Sequence, residues 1–112
     1  MHALALSLYH QGKYQEAEGI IQQVMELRIK VLGLEHPDTF EILFSASMAI
    51  KRQGRYQEAE KINRILFQLQ AKVLGLEHPA TIASMKSISK AYVVGYHIRR
   101  KILQLSAVIF GI

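Results

Sequence analysis

The sequence predicts an all-α fold built from tandem antiparallel helical hairpins, and three observations lead there. The stretch Gln11-Gly12-Lys13-Tyr14-Gln15-Glu16-Ala17-Glu18 returns 42 residues later as Gln53-Gly54-Arg55-Tyr56-Gln57-Glu58-Ala59-Glu60. The stretch Val31-Leu32-Gly33-Leu34-Glu35-His36-Pro37 returns unchanged at the same offset as Val73-Leu74-Gly75-Leu76-Glu77-His78-Pro79. Between these anchors the apolar residues step by three and four, the spacing of one face of an α-helix.

The second helix of each unit starts at the tyrosine. Tyr14, Ala17, Ile20 or Ile21, Val24, Leu27 and Val31 form one stripe, and Tyr56, Ala59, Ile62, Leu66, Leu69 and Val73 repeat it. Tyr14 and Tyr56 read as packing residues. Gly33 and Gly75 follow the last periodic residue, where a left-handed closing residue is needed and glycine has no Cβ penalty. His36-Pro37 and His78-Pro79 then open the next helix, because the fixed φ of proline suits the first turn and its missing N–H is not needed there. The first helices are expected at about 2–11, 38–53 and 80–94. Ala5, Ser47 and Ser89 on the first helices, with Ala17 and Ala59 on the second, would let backbones approach closely. Gly12 and Gly54 turn the hairpins. Such a unit cannot bury its stripe alone and must stack on a neighbour. We divide the single domain into repeat 1, about 1–36, repeat 2, about 37–78, and a degenerate repeat 3, about 79–112.

Composition narrows the setting. The chain has 112 residues, half of them hydrophobic, and no cysteine. Disulfides and thiolate metal sites are therefore excluded. No apolar run is long enough to span a bilayer, and the basic-then-apolar order of a signal peptide is absent, so a soluble, cytoplasmic protein is expected. The formal charge of +5 is unevenly spread. Residues 1–42 hold three bases against six acids, residues 43–84 six against three, and residues 85–112 five bases and no acid. The bases lack the glycine-aromatic interleaving of single-strand binders, and the acidic first third would repel phosphate, which argues against nucleic acid.

With these residues placed, the chain resembles the tetratricopeptide repeat family, in the 42-residue form of kinesin light chains that also builds fungal repeat arrays. The motif pair Gly-Lys/Arg-Tyr-Gln-Glu-Ala-Glu and Val-Leu-Gly-Leu-Glu-His-Pro carries the resemblance over roughly residues 3–92. It implies a short right-handed α-solenoid whose first helices line a concave, peptide-binding groove. The chain departs from the family in three places. Ile21 and Asn63 stand where the second helix usually has an aromatic, and a packed Asn63 amide needs a hydrogen-bond partner. The paired asparagines that hold a ligand backbone are replaced by His2 and Ala3, Phe44 and Ser45, and Lys86 and Ser87. Beyond Tyr92 the motif fails, with Ile98 at the tyrosine position and Lys101 at the alanine position.

The resemblance implies a protein-protein interaction module, an adaptor or scaffold. Its groove would carry His2, Tyr9, His10, Phe44, Met48, Lys51, Arg52, Lys86 and Lys90, basic with aromatic patches and suited to an acidic or apolar peptide. The alternative is a truncated, self-associating fragment whose apolar C-terminal helix forms an oligomer interface through Ile102, Leu103, Leu105, Val108, Ile109 and Phe110. That segment, preceded by Arg99-Arg100-Lys101, could instead cap the third unit as a degenerate partner helix, or lie against a membrane, for which it is too short to span. Nothing in the sequence indicates an enzyme, a cofactor or a metal. No nucleophile stands beside a base, and the regular histidine pair, His36 and His78, belongs to the inter-helix loop without a third ligand. Glu16, Glu18, Glu58 and Glu60 lie near helix starts, where the helix dipole accounts for them.

Overall fold

The computed structural model describes residues 2–111, with side chains except those of His2, Ala107 and Phe110. Among them are six α-helices: α1 His2–His10, α2 Tyr14–Leu32, α3 Pro37–Arg52, α4 Tyr56–Val73, α5 Pro79–Lys86 and α6 Lys90–Phe110. From α1 to α5 each helix packs chiefly on the next in sequence, as expected of a quasi-one-dimensional stack. The result is elongated, 54 × 30 × 21 Å.

Local chemistry sets the helix ends. His36 and His78 take the capping position, each ring Nδ1 accepting the backbone N–H two residues on, from Asp38 at 3.0 Å and Ala80 at 3.1 Å. The loop histidines therefore serve the fold, ahead of prolines at the first helical position. Gly33 closes α2 at φ +86°, and its N–H donates to the carbonyls of Arg28 and Ile29. An added Cβ there would meet nothing within 4 Å, so the requirement for glycine is one of backbone conformation alone.

Small residues bring the helices together. Ala5, Ala17, Ile21, Val24, Ile42, Ala46 and Ala49 form one buried cluster across α1, α2 and α3, and Phe40, Leu43 and Leu66 a second across α3 and α4. Ala17 and Ala49 are fully buried in the first cluster, where their small side chains permit close packing of α2 and α3. The Ser47 hydroxyl donates to the Ala59 carbonyl at 3.4 Å, across the hairpin where the sequence predicted a close approach. Asn63 is buried, as its packed position in the second helix implied.

The apolar stripes differ from expectation at their ends. Leu27 and Val31 are 58% and 68% exposed, because α2 has 19 residues and α1 only nine, leaving the last turns of α2 without a facing helix. Arg28 uses this stretch to reach α3, donating to the Asp38 carbonyl at 2.7 Å and pairing with Glu41. Tyr14 packs edge-on against Tyr9, with ring centroids 5.1 Å apart. Tyr56 is exposed, contrary to its reading as a packing residue, because Lys51 stands where the first unit has Tyr9.

Successive units are joined through polar contacts that the helix dipole alone did not foretell. Glu18 accepts from Gln53 at 2.8 Å and from Arg55 at 2.8 Å, and Arg55 also holds Glu58. The residues 42 positions beyond Gln53 and Arg55 are Gly95 and His97, so Glu60, the repeat of Glu18, lacks those partners. It accepts the backbone N–H of Ser89 at 2.9 Å and pairs with Arg64. That N–H would be consumed within an uninterrupted helix. The expected helix over 80–94 is accordingly broken: Ser87 ends α5, and Ser89, which accepts from the Tyr92 N–H, caps α6 instead of lying inside a first helix. Ser84 occupies the place of the fully buried Ile42 and donates to the buried Gln70, a polar substitute for a core contact.

The C-terminal segment also differs from expectation. It is the continuation of a 21-residue helix that runs through Gly95 without a turn. Its first two turns dock on α4: Tyr96 packs edge-on against Phe67 at 4.9 Å, and the Arg64 guanidinium lies 4.7 Å from the Tyr92 ring centre. Beyond Arg99, Ile102, Leu103, Leu105, Val108 and Ile109 are exposed, so they do not cap the third unit.

Two predictions follow from the non-equivalence of the units. Thr39 and Thr81 are both fully buried, but the Thr39 hydroxyl donates to the Gly33 carbonyl at 2.7 Å, whereas the Thr81 hydroxyl has no partner among the described residues. In chemical denaturation Thr39→Val should cost about 1–2 kcal/mol, while Thr81→Val should be neutral or stabilise by about 1 kcal/mol. Equal losses at both sites would show the account of Thr81 to be wrong. The Ser89 N–H holds the Glu60 carboxyl below its ordinary value of 4.5, and Arg55 does the same for Glu58. Folded-state values depressed in this way give stability that is present above pH 4.5 and is lost as the pH falls through the folded values. Melting temperature measured across this range should decline on acidification, and Glu60→Gln should flatten that decline.

Candidate functional site

The first helices α1, α3 and α5 share one face, and the exposed apolar side chains on it define the candidate site. The last turn of α1 presents Tyr9 and His10, and Phe44 and Met48, four residues apart on α3, rise beside them. Together with Ala5, Leu6, Ile21 and Ser45 they line a depression of about 150 Å³, comparable to a cavity that accepts an aromatic ring. Ala5, 1% exposed, contributes only a methyl group to the lining, while Phe44, 49% exposed, forms a rim.

A basic end adjoins this depression. The Arg52 Nε donates to the Tyr9 hydroxyl at 3.0 Å, joining α3 to α1. The Tyr9 hydrogen bond raises the guanidinium pKa above its already high ordinary value, so Arg52 is a fixed positive charge there. Met48 belongs both to the apolar depression and to a neighbouring one lined by Lys51, Arg52 and Tyr56. On the other side of Phe44 a third depression, lined by Phe40, Leu74, His78 and Ala83 among others, continues toward α5. Glu41 borders it, and pairs with Arg28 at 3.5 Å.

The structure thus brings together Tyr9, His10, Phe44 and Met48, with Lys51 and Arg52 beside them. Lys86 and Lys90 lie apart from these linings, exposed on either side of the break between α5 and α6. The side chain of His2 falls outside the described residues. Of the C-terminal set, Ile102, Leu103, Leu105, Val108 and Ile109 are exposed on α6, and the side chain of Phe110 lies outside the described residues. Ala5 was read as a spacing residue and Ile21 as part of an apolar stripe, and their part in the lining, like that of Phe40 in the third depression, shows only once the helices are packed. The His-Pro segments that open α3 and α5 were the available signal for the third depression, since Pro37 and His78 both border it.

Among the described residues no group of three or more histidine, aspartate or glutamate side chains is placed to hold a metal ion, and no helix is long and apolar enough to cross a membrane. The strongest ionic cluster, Glu18, Arg55 and Glu58, is satisfied internally at the joint between units.

Comparison with known proteins agrees with the repeat pattern. A family model described as tetratricopeptide repeat matches residues 1–62, and a second of the same description matches residues 46–80. Among solved structures, the nearly identical TPR-like repeats of a Podosopora anserina protein of kinesin-light-chain type superpose with a TM-score of 0.71 at 31% identity. A point variant of the same repeats gives the same values. The match covers 88% of this chain and 46% of the solved chains, so the chain spans about half their length. No curated protein matches the chain.

Proposed function

Because the chain belongs to the tetratricopeptide repeat family, in its kinesin-light-chain type, and the family fold is a protein-interaction scaffold, we propose that it holds an acidic, apolar-anchored peptide segment on the shared face of α1, α3 and α5. One observation carries this reading: an apolar depression rimmed by Phe44, Tyr9 and Met48 opens beside the cations of Lys51 and Arg52. An apolar side chain of the peptide would enter the depression, and carboxylates flanking it would meet the two cations. The apolar anchor supplies most of the affinity, and the charges supply orientation and a faster encounter. The paired asparagines that the family uses to hold ligand backbone are missing, so side-chain recognition carries more of the burden here. The scaffold itself needs no catalytic group. Lys86 and Lys90 extend the basic character past the break, as a second point of contact for a longer segment.

The test is fluorescence anisotropy against an array of labelled peptides that vary in acidic content and in one apolar residue. Phe44→Ala should weaken the best acidic-apolar peptide by about tenfold, roughly 1.4 kcal/mol, with little change in stability because Phe44 is half exposed. Lys51→Glu should weaken it further at low salt and less at high salt. Retention of full affinity in both variants would remove this face as the site.

A further inference from the structure

The helix α6 carries a second surface on another part of the molecule, with a different geometry. From Ile98 onward four apolar residues trace a coiled-coil seam, Ile98, Ile102, Leu105 and Ile109 being spaced four, three and four apart, while the exposed Leu103 and Val108 lie off it. In heptad terms isoleucine holds the a positions at Ile102 and Ile109, and leucine holds a d position at Leu105. Ile102, Leu105 and Ile109 follow the pattern of two-stranded pairing, while Ile98 holds the preceding d position and Gly95 the preceding a position. All four seam residues are more than half exposed, at 53%, 55%, 60% and 70%. The seam runs about 17 Å from Ile98 to Ile109, taking 1.5 Å per residue. From Ile102 onward the seam is open to solvent, whereas Ile98 and Arg99 border a depression shared with Arg64 and Tyr92, the Arg99 guanidinium lying 5.7 Å from the Tyr92 ring centre. Tyr92 and Tyr96, which dock α6 on α4, lie on the far side of the helix.

Charge selects the occupant. Arg99 and Lys101 sit at the two positions that flank the seam, where coiled coils place the charges that choose a partner. Residues 85–112 hold five bases and no acid, so two copies of α6 side by side would bring like charge together with no carboxylate to neutralise it. A partner helix with carboxylates at the flanking positions would supply what the seam lacks. We propose that α6 is a docking helix for an acidic amphipathic helix of another protein, paired along Ile98, Ile102, Leu105 and Ile109 and selected through Arg99 and Lys101. The scaffold presents the strand already helical, anchored at its root by Tyr92 and Tyr96, which removes part of the ordering cost that short coiled coils bear. This surface is independent of the groove on α1 and α3.

The test uses the full chain and two synthetic heptad peptides of equal length and identical apolar seams, one with glutamate and one with lysine at the flanking positions. Fluorescence anisotropy should show binding of the acidic peptide alone, weakening by roughly tenfold or more between low and high salt. Arg99→Glu combined with Lys101→Glu should reverse the preference. Ile102→Asp should abolish binding with an unchanged circular dichroism spectrum, since the residue is exposed, whereas Phe44→Ala should leave it unchanged. Equal binding of both peptides, or of neither, would overturn the proposal. Dimerisation of the chain in sedimentation equilibrium that Ile102→Asp abolishes would assign the seam to a second copy instead. Tighter binding to phosphatidylserine vesicles than to the acidic peptide would assign it to a lipid surface.

Discussion

The rest of the structure depends on the close approach of α2 to α3. Ala17 and Ala49 are fully buried and Ala46 nearly so, with Ile21, Val24 and Ile42 filling the space around them. A hairpin of two helices leaves one apolar stripe uncovered, and only a neighbouring hairpin at this short distance can cover it. The apolar depression beside α1 exists because that packing fixes α1 and α3 at a spacing where Ala5 adds little bulk and Phe44 projects beside it. A larger side chain at Ala17 or Ala49 would force the helices apart, displacing the groove along with the core.

The same stacking explains why the two ends of the molecule differ from its middle. At the first hairpin the short α1 leaves Leu27 and Val31 of α2 exposed. At the other end Glu60 takes a backbone N–H that a regular third unit would keep within its helix. The joint between the first two units, in which Glu18 holds Gln53 and Arg55, sets the pattern that the next joint cannot copy, because Gly95 and His97 offer no equivalent groups. A broken helix and a projecting α6 follow. Irregularity here has a traceable origin in three or four substitutions within the repeat.

Much of this was legible in the sequence. The 42-residue recurrence located α2, α3 and α4, the glycines that follow α2 and α4, and the His-Pro starts of α3 and α5, because these depend on local backbone chemistry that repeats with the motif. Of the residues that the family resemblance assigned to a groove, Tyr9, His10, Phe44, Met48, Lys51 and Arg52 line two adjoining depressions, whereas Lys86 and Lys90 lie apart. The break at residues 87–89 was not legible, since Ser89 is followed three residues on by Tyr92 and not by the Glu or Gln of a capping box. Its cause lies 29 residues away, in the Glu60 carboxylate, and tertiary demand of that kind has no local trace. The stripe ends and the exposure of Tyr56 escaped for the same reason, since a period shows which residues share a face and leaves open what covers that face.

The central claim is that the repeat stack serves as a binding scaffold through the face shared by its first helices. Chemical-shift mapping of the isotope-labelled chain, titrated with an acidic peptide carrying one apolar anchor, tests it most directly. The account predicts that the largest perturbations fall on Leu6, Tyr9, Phe44, Met48 and Arg52, with the outward residues of α2 and α4 silent. Perturbations confined to Leu27 and Val31 at the uncovered end of α2 and to Ile65 of α4, with Tyr9 and Phe44 unmoved, would contradict it.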